Sequence, residues 1–391
     1  MRLRLLACVT LLAISGVTIR SDDTAAALIA RIEGVQPGAG EDAALTVAEV
    51  MAKYHVPGVS VAVIKDFRVH SVKAYGVADV VTGGRVDANT LFQAASISKP
   101  VAAMAVLKAV QDSRFSLDDD INSIVKSWKL PTGDFTRDRP VTPRTLLSHT
   151  SGLGDGFGFP GYHPSAPLPT LVQILDGQPP SNVGPVRMER PPLTAMKYSG
   201  GGVTLMQLAM TDVLGKPFPQ LMQELVLGPL EMSNSRYDQP LSAAFDANAA
   251  RAHDREGKAR DAKWHVYPEL EAAGLWTTPG DLAKFAIEVQ LSIAGRSNRV
   301  LLRALAQEMV NPVGVGDYGV GLGVTKQGEG WYFGHGGSNW GFLCDVRAHK
   351  LKGYGVAIMT NGDGGGRVIR EVESRVAAAY HWDSLDKPVP R

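Results

Sequence analysis

The sequence predicts a mixed α/β fold in which both ends of the chain contribute strands to one sheet. Near the start, apolar residues at Val59, Val61 and Val63 lead to a turn at Asp66-Phe67 and a returning segment, which predicts a β-hairpin. Strand patterns return between residues 314 and 359. Between these regions, short helical patterns alternate with Pro- and Gly-rich loops. We therefore expect one sheet with a mostly helical insertion.

The chain divides into a leader and one larger unit. Arg2 and Arg4 precede an apolar stretch from Leu5 to Val17, which predicts a secretory leader over residues 1–20 and a periplasmic or secreted protein. An uncleaved membrane anchor is the alternative. We expect residues 21–391 to form a single unit, with sheet parts at about 40–111 and 265–385 and a helical insertion at about 112–264. Without the leader, no apolar run approaches the length of a membrane span.

Composition excludes several classes of partner and cofactor. Forty basic and 39 acidic residues give a net charge of +1, and no run of five like charges occurs, so we expect neither nucleic acid nor an anionic membrane as partner. There is no His-Glu-x-x-His motif and no pair of cysteine ligands, so no metal is predicted. The Gly-rich segment 156–161 follows no strand and contains Pro160, so no dinucleotide cofactor is predicted. Removal of the leader with Cys8 leaves Cys344 alone, and we interpret it as a buried structural thiol.

The most informative segment contains Ser96, Lys99 and Pro100. A proline is tolerated in a helix only in the first turn, so Pro100 predicts a helix that begins near Ser96 and continues to Gln111. Lys99 then lies on the same helical face as Ser96, three residues away. A serine hydroxyl needs an adjacent base to act as nucleophile, and a lysine can be that base once its pKa falls. Alone, the pair is equally typical of an ordinary helix start with a solvated lysine.

Tyr198 precedes three consecutive glycines, residues 200–202. Such a turn allows close approach of other groups and could direct the phenol of Tyr198 into a cleft. A nearby ammonium would lower the pKa of this phenol and let it transfer protons. The simpler interpretation is a packed loop tyrosine.

The third segment contains His335, Gly336, Gly337 and Ser338 inside a strand pattern. Glycines weaken a strand unless another backbone or a ligand approaches it, so we expect this segment to bind substrate. His335 could donate a hydrogen bond or carry charge near neutral pH. The amides of Ser338 and Ser96 could together hold an oxyanion. The alternative is a hairpin with a surface histidine.

In this order, the three segments resemble the penicillin-recognising serine hydrolases, which include class C β-lactamases, D-Ala-D-Ala carboxypeptidases, D-aminopeptidases and family VIII esterases. The pattern of that superfamily is Ser-x-x-Lys, then Tyr-x-Asn, then Lys/His-x-Gly. Ser96 to Lys99 matches the first motif, and His335 to Gly337 matches the third. Further stretches at residues 146–153, 273–282 and 359–362 are also similar, so the resemblance covers about residues 47–380.

The resemblance implies a β-lactamase/transpeptidase-like fold with an antiparallel sheet flanked by helices. It implies that Ser96 forms an acyl-enzyme, and that Lys99 and Tyr198 share the proton transfers, with Tyr198 as the base for deacylation. His335 would orient or polarise this network, the amides of Ser96 and Ser338 would hold the oxyanion, and no cofactor would be needed. It also implies that His149 is structural.

One position departs from the pattern, because Gly200 stands where the superfamily has asparagine. The missing amide disfavours an efficient β-lactamase or D-Ala-D-Ala peptidase and favours small esters or amides as substrates. The expected function is thus an exported esterase or D-stereospecific peptidase acting on a small molecule or short peptide, with cell-wall peptides and β-lactams among the candidate substrates. A β-lactamase or D-Ala-D-Ala carboxypeptidase is the alternative enzyme. A module that binds cell-wall peptides or β-lactams without turnover is the alternative outside enzymes.

Overall fold

The computed structural model describes residues 24–38, 40–155 and 158–383, and the predicted leader lies outside them. Two helices come first, α1 (Ala25–Glu33) and α2 (Val47–Lys53), and each begins after a threonine cap. The predicted hairpin follows as β1 (Gly58–Lys65) and β2 (Arg68–Gly76). Its turn residues Asp66 and Phe67 have φ values of 54° and 59°, which confirms the predicted turn.

The middle of the described chain is mostly helical, as expected. It also contains two short strands, a 3₁₀ turn over Ala95–Ile97 and a π-helical turn over Gln223–Leu227. The elements in chain order are β3 (Phe92–Gln93), α3 (Ser98–Gln111), α4 (Ile121–Ile124), α5 (Pro143–Leu147), α6 (Leu171–Asp176), α7 (Gly200–Leu214), α8 (Phe218–Met222), α9 (Ala243–Asp246), α10 (Leu270–Ala273), β4 (Trp276–Thr277), α11 (Pro279–Ile293) and α12 (Arg303–Val310).

Four strands and a long helix end the described chain. They are β5 (Gly323–Gln327), β6 (Gly330–Asn339), β7 (Phe342–His349), β8 (Gly355–Thr360) and α13 (Gly365–Ala379). Within the part that the structure describes, no helix is both long and apolar enough to cross a bilayer.

The main sheet joins the two ends of the chain. Its order is β2-β1-β8-β7-β6-β5, and every neighbouring pair is antiparallel. The junction is the β1–β8 pair, in which Val59 lies opposite Thr360. Helix α11 packs on one face with the core of the helical region, and α1, α2 and α13 enclose a second core on the other face. The predicted antiparallel sheet flanked by helices is confirmed.

Strand β6 has an unpaired stretch that positions the site. It pairs with β5 only as far as Gly334, whereas its pairing with β7 continues to Asn339. Residues 335–339 therefore form an open edge on the β5 side, and this edge faces the turn at Ala95–Ile97.

The small sheet β3–β4 was not expected from the sequence. Phe92 pairs with Thr277, and Gln93 pairs with Trp276. The adjoining backbone continues this contact, because Ala94 N donates to Leu275 O at 2.8 Å. The two strands thus connect the segment before Ser96 to the segment after α10.

Candidate active site

Ser96 lies in a strained turn immediately before α3. It occupies the 3₁₀ turn Ala95–Ile97, so the α-helix begins at Ser98, two residues later than predicted. Pro100 is the third residue of α3 and therefore lies in its first turn, as predicted. Ala95 has a φ of 48°, a left-handed conformation that costs an alanine about 1 kcal/mol. Strain of this kind is concentrated at functional sites.

The side chain of Ser98 holds this turn in place. Its Oγ donates to Ala95 O at 2.5 Å and accepts a hydrogen bond from Leu275 N at 3.0 Å. Tyr237 donates from its hydroxyl to Ser98 O at 2.8 Å. The conformation of the turn Ala95–Ile97 is thus fixed by Leu275, which follows α10, and by Tyr237 of the helical region.

Lys99 is buried beside Ser96, with only 1% of its surface exposed. Its Nζ lies 3.1 Å from Ser96 Oγ and 2.7 Å from Ala272 O. Burial lowers the pKa of Lys99 from 10.5 to about 7, against the opposing effect of carboxylates at Asp155 and Glu271. A large fraction of the amine is therefore neutral near pH 7 and has a lone pair available for the serine proton.

Tyr198 lies over the amine of Lys99. The distance from Lys99 Nζ to the centroid of its ring is 4.9 Å, and its hydroxyl interacts with Ser96. Burial raises the pKa of Tyr198 well above 10, and the interaction with Ser96 opposes this only in part. The prediction that a nearby ammonium lowers this pKa is therefore wrong, because desolvation outweighs any such effect. The phenol stays protonated and can give a proton, whereas the neutral amine can take one.

His149 fixes the backbone that carries Tyr198. Its Nδ1 accepts a hydrogen bond from Ser199 N at 3.2 Å, and its carbonyl accepts one from Lys197 N at 2.8 Å. The rings of His149 and Tyr198 are 4.2 Å apart. Burial lowers the pKa of His149 well below 6.5, so the ring is neutral. His149 is a positioning residue, consistent with the structural role that the resemblance implies.

His335 is buried and neutral. Its Nδ1 donates to Gly336 O at 2.6 Å, and burial together with the charge of Lys99 lowers its pKa to about 3. The idea that it carries charge near neutral pH is therefore wrong, as is the alternative of a surface histidine. With the proton on Nδ1, Nε2 is an acceptor, and it has no partner among the described residues. It can accept a hydrogen bond from a substrate or from a water molecule in the cleft.

Gly337 brings β6 into contact with the turn Ala95–Ile97. A Cβ at this position would lie 2.4 Å from Ala94 O and 2.5 Å from Cys344 Sγ, so only glycine fits. Cys344 is buried, as predicted, and its thiol donates to the same carbonyl of Ala94 at 2.9 Å. This close approach places Ser338, the next residue of β6, on the same wall as Ser96.

The residues predicted from the sequence meet in one cleft of about 430 Å³. Its lining includes all of the predicted residues except Lys99, which lies buried beneath Ser96. These lining residues are Ser96, Tyr198, His335, Gly336, Gly337 and Ser338. Within the described ranges no group of three or more His, Cys, Asp or Glu side chains is arranged to hold a metal ion.

Tyr318 is a cleft residue that sequence reasoning missed. Its ring centroid lies 5.2 Å from that of His149, 5.9 Å from that of His335 and 6.5 Å from that of Tyr198. Tyr198 lies over the amine of Lys99, and Tyr318 packs against the rings of Tyr198, His149 and His335. Tyr318 lies before β5 in a Gly-rich segment, and no local pattern there indicates that the chain approaches Ser96.

Asp155 is a second residue that was missed. Ser199 donates from Oγ to Asp155 Oδ1 at 2.5 Å, and Gly201 N donates to its other oxygen at 2.7 Å. Ser199 Oγ also accepts a hydrogen bond from Gly202 N at 2.8 Å, which makes it the cap of α7. Asp155 and Ser199 thus satisfy free amides at the start of α7 and hold Tyr198 at the helix entrance.

The structure gives a physical reason for Gly200. A Cβ at this position would lie 2.8 Å from the Phe159 ring, so an asparagine here would collide with that ring. The ring of Phe159 therefore fills the space next to Gly200 at the start of α7.

Two buried carboxyl groups lie in the segment next to Ala272. Glu269 and Glu271 are fully buried, and neither carboxyl has a hydrogen-bond partner among the described residues. Burial raises the pKa of Glu269 from 4.5 to about 7 and that of Glu271 well above 4.5. The cation of Lys99 opposes the rise at Glu271, so these two groups influence each other's protonation.

Comparison with known proteins agrees with this arrangement. Residues 43–380 match the family model described as Beta-lactamase. Penicillin-binding protein 4 of Amycolatopsis lactamdurans is 24% identical over 325 residues, which are 79% of this chain and 82% of that protein. Protein flp of Staphylococcus aureus (strain MW2) is 23% identical over 328 residues, or 80% of this chain, and this chain spans 61% of its length.

Solved structures share the fold at low sequence identity. The octameric penicillin-binding protein homologue from Pyrococcus abyssi is similar with a TM-score of 0.69 and 23% identity, covering 88% of this chain and 78% of that one. A D-amino acid amidase from Ochrobactrum anthropi SV3 has a TM-score of 0.66 at 23% identity, covering 90% and 98% of the two chains. The D-alanine carboxypeptidase AmpC from Burkholderia cenocepacia has a TM-score of 0.64 at 18% identity, covering 85% and 96%.

Proposed function

The chain belongs to the Beta-lactamase family of acyl-enzyme serine hydrolases, and we propose that Ser96 is the residue that becomes acylated. The observation that supports this best is the amine of Lys99, which is buried, about half neutral at pH 7 and 3.1 Å from Ser96 Oγ. A base in this position converts a weak hydroxyl nucleophile into an effective one.

In the acylation step, Ser96 Oγ bonds to the substrate carbonyl carbon while its proton passes to Lys99 Nζ. The negative oxygen that forms is held by the amides of Ser96 and Ser338 at the open edge of β6. When the bond to the leaving group breaks, Tyr198 gives its phenolic proton to that group and recovers one from the Lys99 ammonium. No net proton is gained or lost by the enzyme.

Deacylation follows the same route with water as the nucleophile. The neutral amine of Lys99 removes a proton from water, and the resulting hydroxide attacks the acyl carbon. Ser96 Oγ leaves and regains its proton from Lys99. Because burial keeps the pKa of Tyr198 high, we assign the base of this step to Lys99 instead of the phenolate that the resemblance implies.

The proposed substrates are small esters and amides, including D-amino-acid derivatives. Gly200 in place of the usual asparagine leaves one fewer polar contact for a substrate amide, and this favours esters, whose leaving groups need less activation. The similar D-amino acid amidase and D-alanine carboxypeptidase keep amide substrates as the second candidate. Export to the periplasm or medium is also proposed, from the leader pattern of residues 1–20.

A labelling experiment tests the proposal. Wild-type protein should react covalently with a fluorophosphonate or a fluorescent penicillin, and Ser96→Ala should not. Ser165→Ala, which changes an exposed serine, is the matched control and should label normally. Failure of the wild type to label with either probe would favour a binding module without turnover.

Substrate class is tested by comparing three compounds. We expect a short-chain aryl ester to be hydrolysed faster than a cephalosporin or a D-alanyl peptide. Rapid turnover of the cephalosporin without turnover of the ester would instead identify the protein as a β-lactamase.

A further inference from the structure

A second cavity adjoins the catalytic cleft. It has a volume of about 350 Å³, and it shares Leu343 and Gly366 with the lining of the cleft. We name it the basic groove and define it by its complete lining: Lys53, Tyr54, His55, Arg255, Leu343, Asp363, Gly364, Gly366, Arg367 and Arg370. Because two residues belong to both cavities, the groove lies directly beside the cleft that contains Ser96.

Four cationic side chains line the basic groove, and carboxylates neutralise only part of their charge. Lys53 is paired with Glu41 at 3.0 Å and Asp42 at 2.7 Å. The single carboxylate in the lining, Asp363, is already engaged by Arg260 and by the amide of Gly341.

The remaining guanidinium groups provide the excess of positive charge. Arg367 approaches Glu41 only at 3.9 Å. Neither Arg255 nor Arg370 forms an ion pair with any residue of the ranges 24–38, 40–155 and 158–383. These arginines are exposed, so they are free to move towards an anion that enters the groove.

The backbone of the groove adds to the attraction for anions. Helix α13 begins at Gly365 and has 15 residues; Gly364, just before it, and Gly366, its second residue, line the groove. The positive end of the dipole of a helix of this length favours an anion at that point. Arg370 is four residues after Gly366 and therefore lies on the same helical face.

The two residues shared by the cavities, Leu343 and Gly366, carry no charge, and among the described residues Asp345 is the one carboxylate in the lining of the cleft. Ile369 lines the cleft beside Gly366. A chain of methylene groups fits such a wall, whereas a charged linker would lose hydration there without a compensating partner.

We propose that the basic groove binds an anionic group, a carboxylate or a phosphate, at the far end of an elongated substrate whose ester or amide lies at Ser96. The preferred substrate thus has an apolar segment between its reactive carbonyl and its anionic end. This proposal rests on the proposed hydrolase function and adds the substrate class to it.

The test uses 4-nitrophenyl monoesters of linear dicarboxylic acids, from glutarate to sebacate, and the same compounds with the free carboxyl group capped as a methyl ester. For the chain length that reaches the groove, we expect kcat/KM of the free acid to exceed that of the capped compound by about tenfold in the wild type, which corresponds to about 1.4 kcal/mol. The ratio should fall below about twofold in the double variant Arg255→Gln/Arg370→Gln.

A matched control separates local binding from the general effect of charge. Arg137→Gln/Arg139→Gln removes the same net charge from two residues that line neither cavity, and it should keep the wild-type ratio. A ratio near one at every chain length in the wild type would overturn the proposal. An equal decrease in the control variant would do the same.

Binding without turnover keeps the proposal testable if the hydrolase assignment fails. The Ser96→Ala protein is titrated with the 4-nitroanilides of the same free and capped acids. Tighter binding of the free acid, lost in the Arg255→Gln/Arg370→Gln background, supports the groove even if no ester is hydrolysed. Equal affinity of the two forms excludes it, whereas Ser96-dependent turnover of the capped esters would still support the proposed hydrolase.

Discussion

At the scale of single residues, most of the chemistry proposed for the site depends on the amine of Lys99. Its pKa of about 7 results from burial by Tyr198 and the surrounding rings, opposed by the carboxylates of Asp155 and Glu271. His149 and His335 are held neutral, so they add no positive charge near the amine at neutral pH. The protonation of this amine therefore changes in the pH range where the enzyme is expected to work.

The pH dependence of the rate follows from this pKa. Because only the neutral amine accepts the serine proton, kcat/KM for a neutral ester should rise between pH 6 and 8 with an apparent pKa of about 7. At one unit below the pKa, about one tenth of the maximal rate should remain. A pH–rate profile measures this, and a rise centred near 10 would show that Lys99 is solvated in the working enzyme.

The substitution Lys99→Ala should lower kcat/KM for ester hydrolysis about a thousandfold or more, because it removes the base beside Ser96. Lys108→Ala, at the far end of α3, should leave kcat/KM unchanged.

Tyr198→Phe isolates the role of the phenolic proton. The substitution keeps the ring against Lys99 and His149 but removes the hydroxyl that interacts with Ser96. We expect kcat to fall about 100-fold, as is typical for loss of a positioned proton donor, with little change in thermal stability. The measurement is steady-state kinetics with aryl esters and anilides. The loss should be larger for the anilide, whose leaving group needs the proton more, and equal small losses for both would remove Tyr198 from the mechanism.

Residue identities could be predicted from the sequence, but protonation states could not. Ser96, Lys99, Tyr198 and His335 meet in one place as expected. The direction of the pKa shift at Tyr198 was predicted wrongly because it depends on burial by side chains that are distant in the sequence, and sequence spacing carries no information about desolvation. Asp155, Tyr318 and Phe159 were also missed, because each lies in a loop. A loop has no periodicity that would indicate which distant residues it contacts.

At the scale of elements, the site depends on contact between the turn before α3 and the open edge of β6. Glycine at position 337 makes this contact possible, because the carbonyl of Ala94 and the thiol of Cys344 occupy the space of any side chain. At the neighbouring Gly336, a Cβ would meet Asp345 only at 3.6 Å, which is an ordinary contact. The structure thus has space for an added methyl group at Gly336 but not at Gly337.

This difference gives a matched pair of variants. Gly337→Ala should push β6 away from the turn Ala95–Ile97 and lower kcat for ester hydrolysis about 100-fold, since a displaced donor no longer stabilises the oxyanion. Gly336→Ala should stay within about threefold of the wild type, because its added methyl group meets no close neighbour. Kinetics and thermal melting of both variants measure this. Comparable activity of the two variants would show that the separation of Ser338 from Ser96 does not limit catalysis.

Long elements were easier to predict than short ones. The hairpin β1–β2 and helix α3 have internal periodicity, and both were expected close to where they occur. The two-residue strands β3 and β4 have no periodicity, because their pairing joins segments more than 180 residues apart. The 3₁₀ turn at Ala95–Ile97 also could not be predicted, since Leu275 and Tyr237 hold it from outside.

At the scale of the whole molecule, stability depends on many buried groups that are held neutral. The pKa values of six histidines are lowered, mainly by burial, at positions 70, 149, 253, 265, 335 and 349. Unfolded histidine takes up a proton near pH 6.5, whereas these folded ones resist it. The unfolded state therefore binds more protons below that pH, and the histidines destabilise the fold as pH falls from 6.5.

Glu269 acts in the opposite direction, and its contribution can be measured by difference. Its pKa rises from 4.5 in the unfolded chain to about 7 in the fold, so between these values the folded state holds a proton that the unfolded state has lost. Its contribution to stability is fully present below pH 4.5 and is lost as pH rises towards 7, by about 3 kcal/mol at most.

Glu269→Gln removes this titration while keeping the shape and a neutral polar group at the same place. We expect the free energy of unfolding of Glu269→Gln, minus that of the wild type, to increase steadily from pH 4.5 to 7 and then level off. The reason is that in this range only the wild type must take up a proton at Glu269 on folding, or else bury a charged carboxylate. Urea unfolding of both proteins at several pH values measures this difference. Glu256→Gln, at an exposed carboxyl group, is the control substitution. A difference for Glu269→Gln that does not change with pH would mean that water or a counter-ion reaches this carboxyl group in the folded protein.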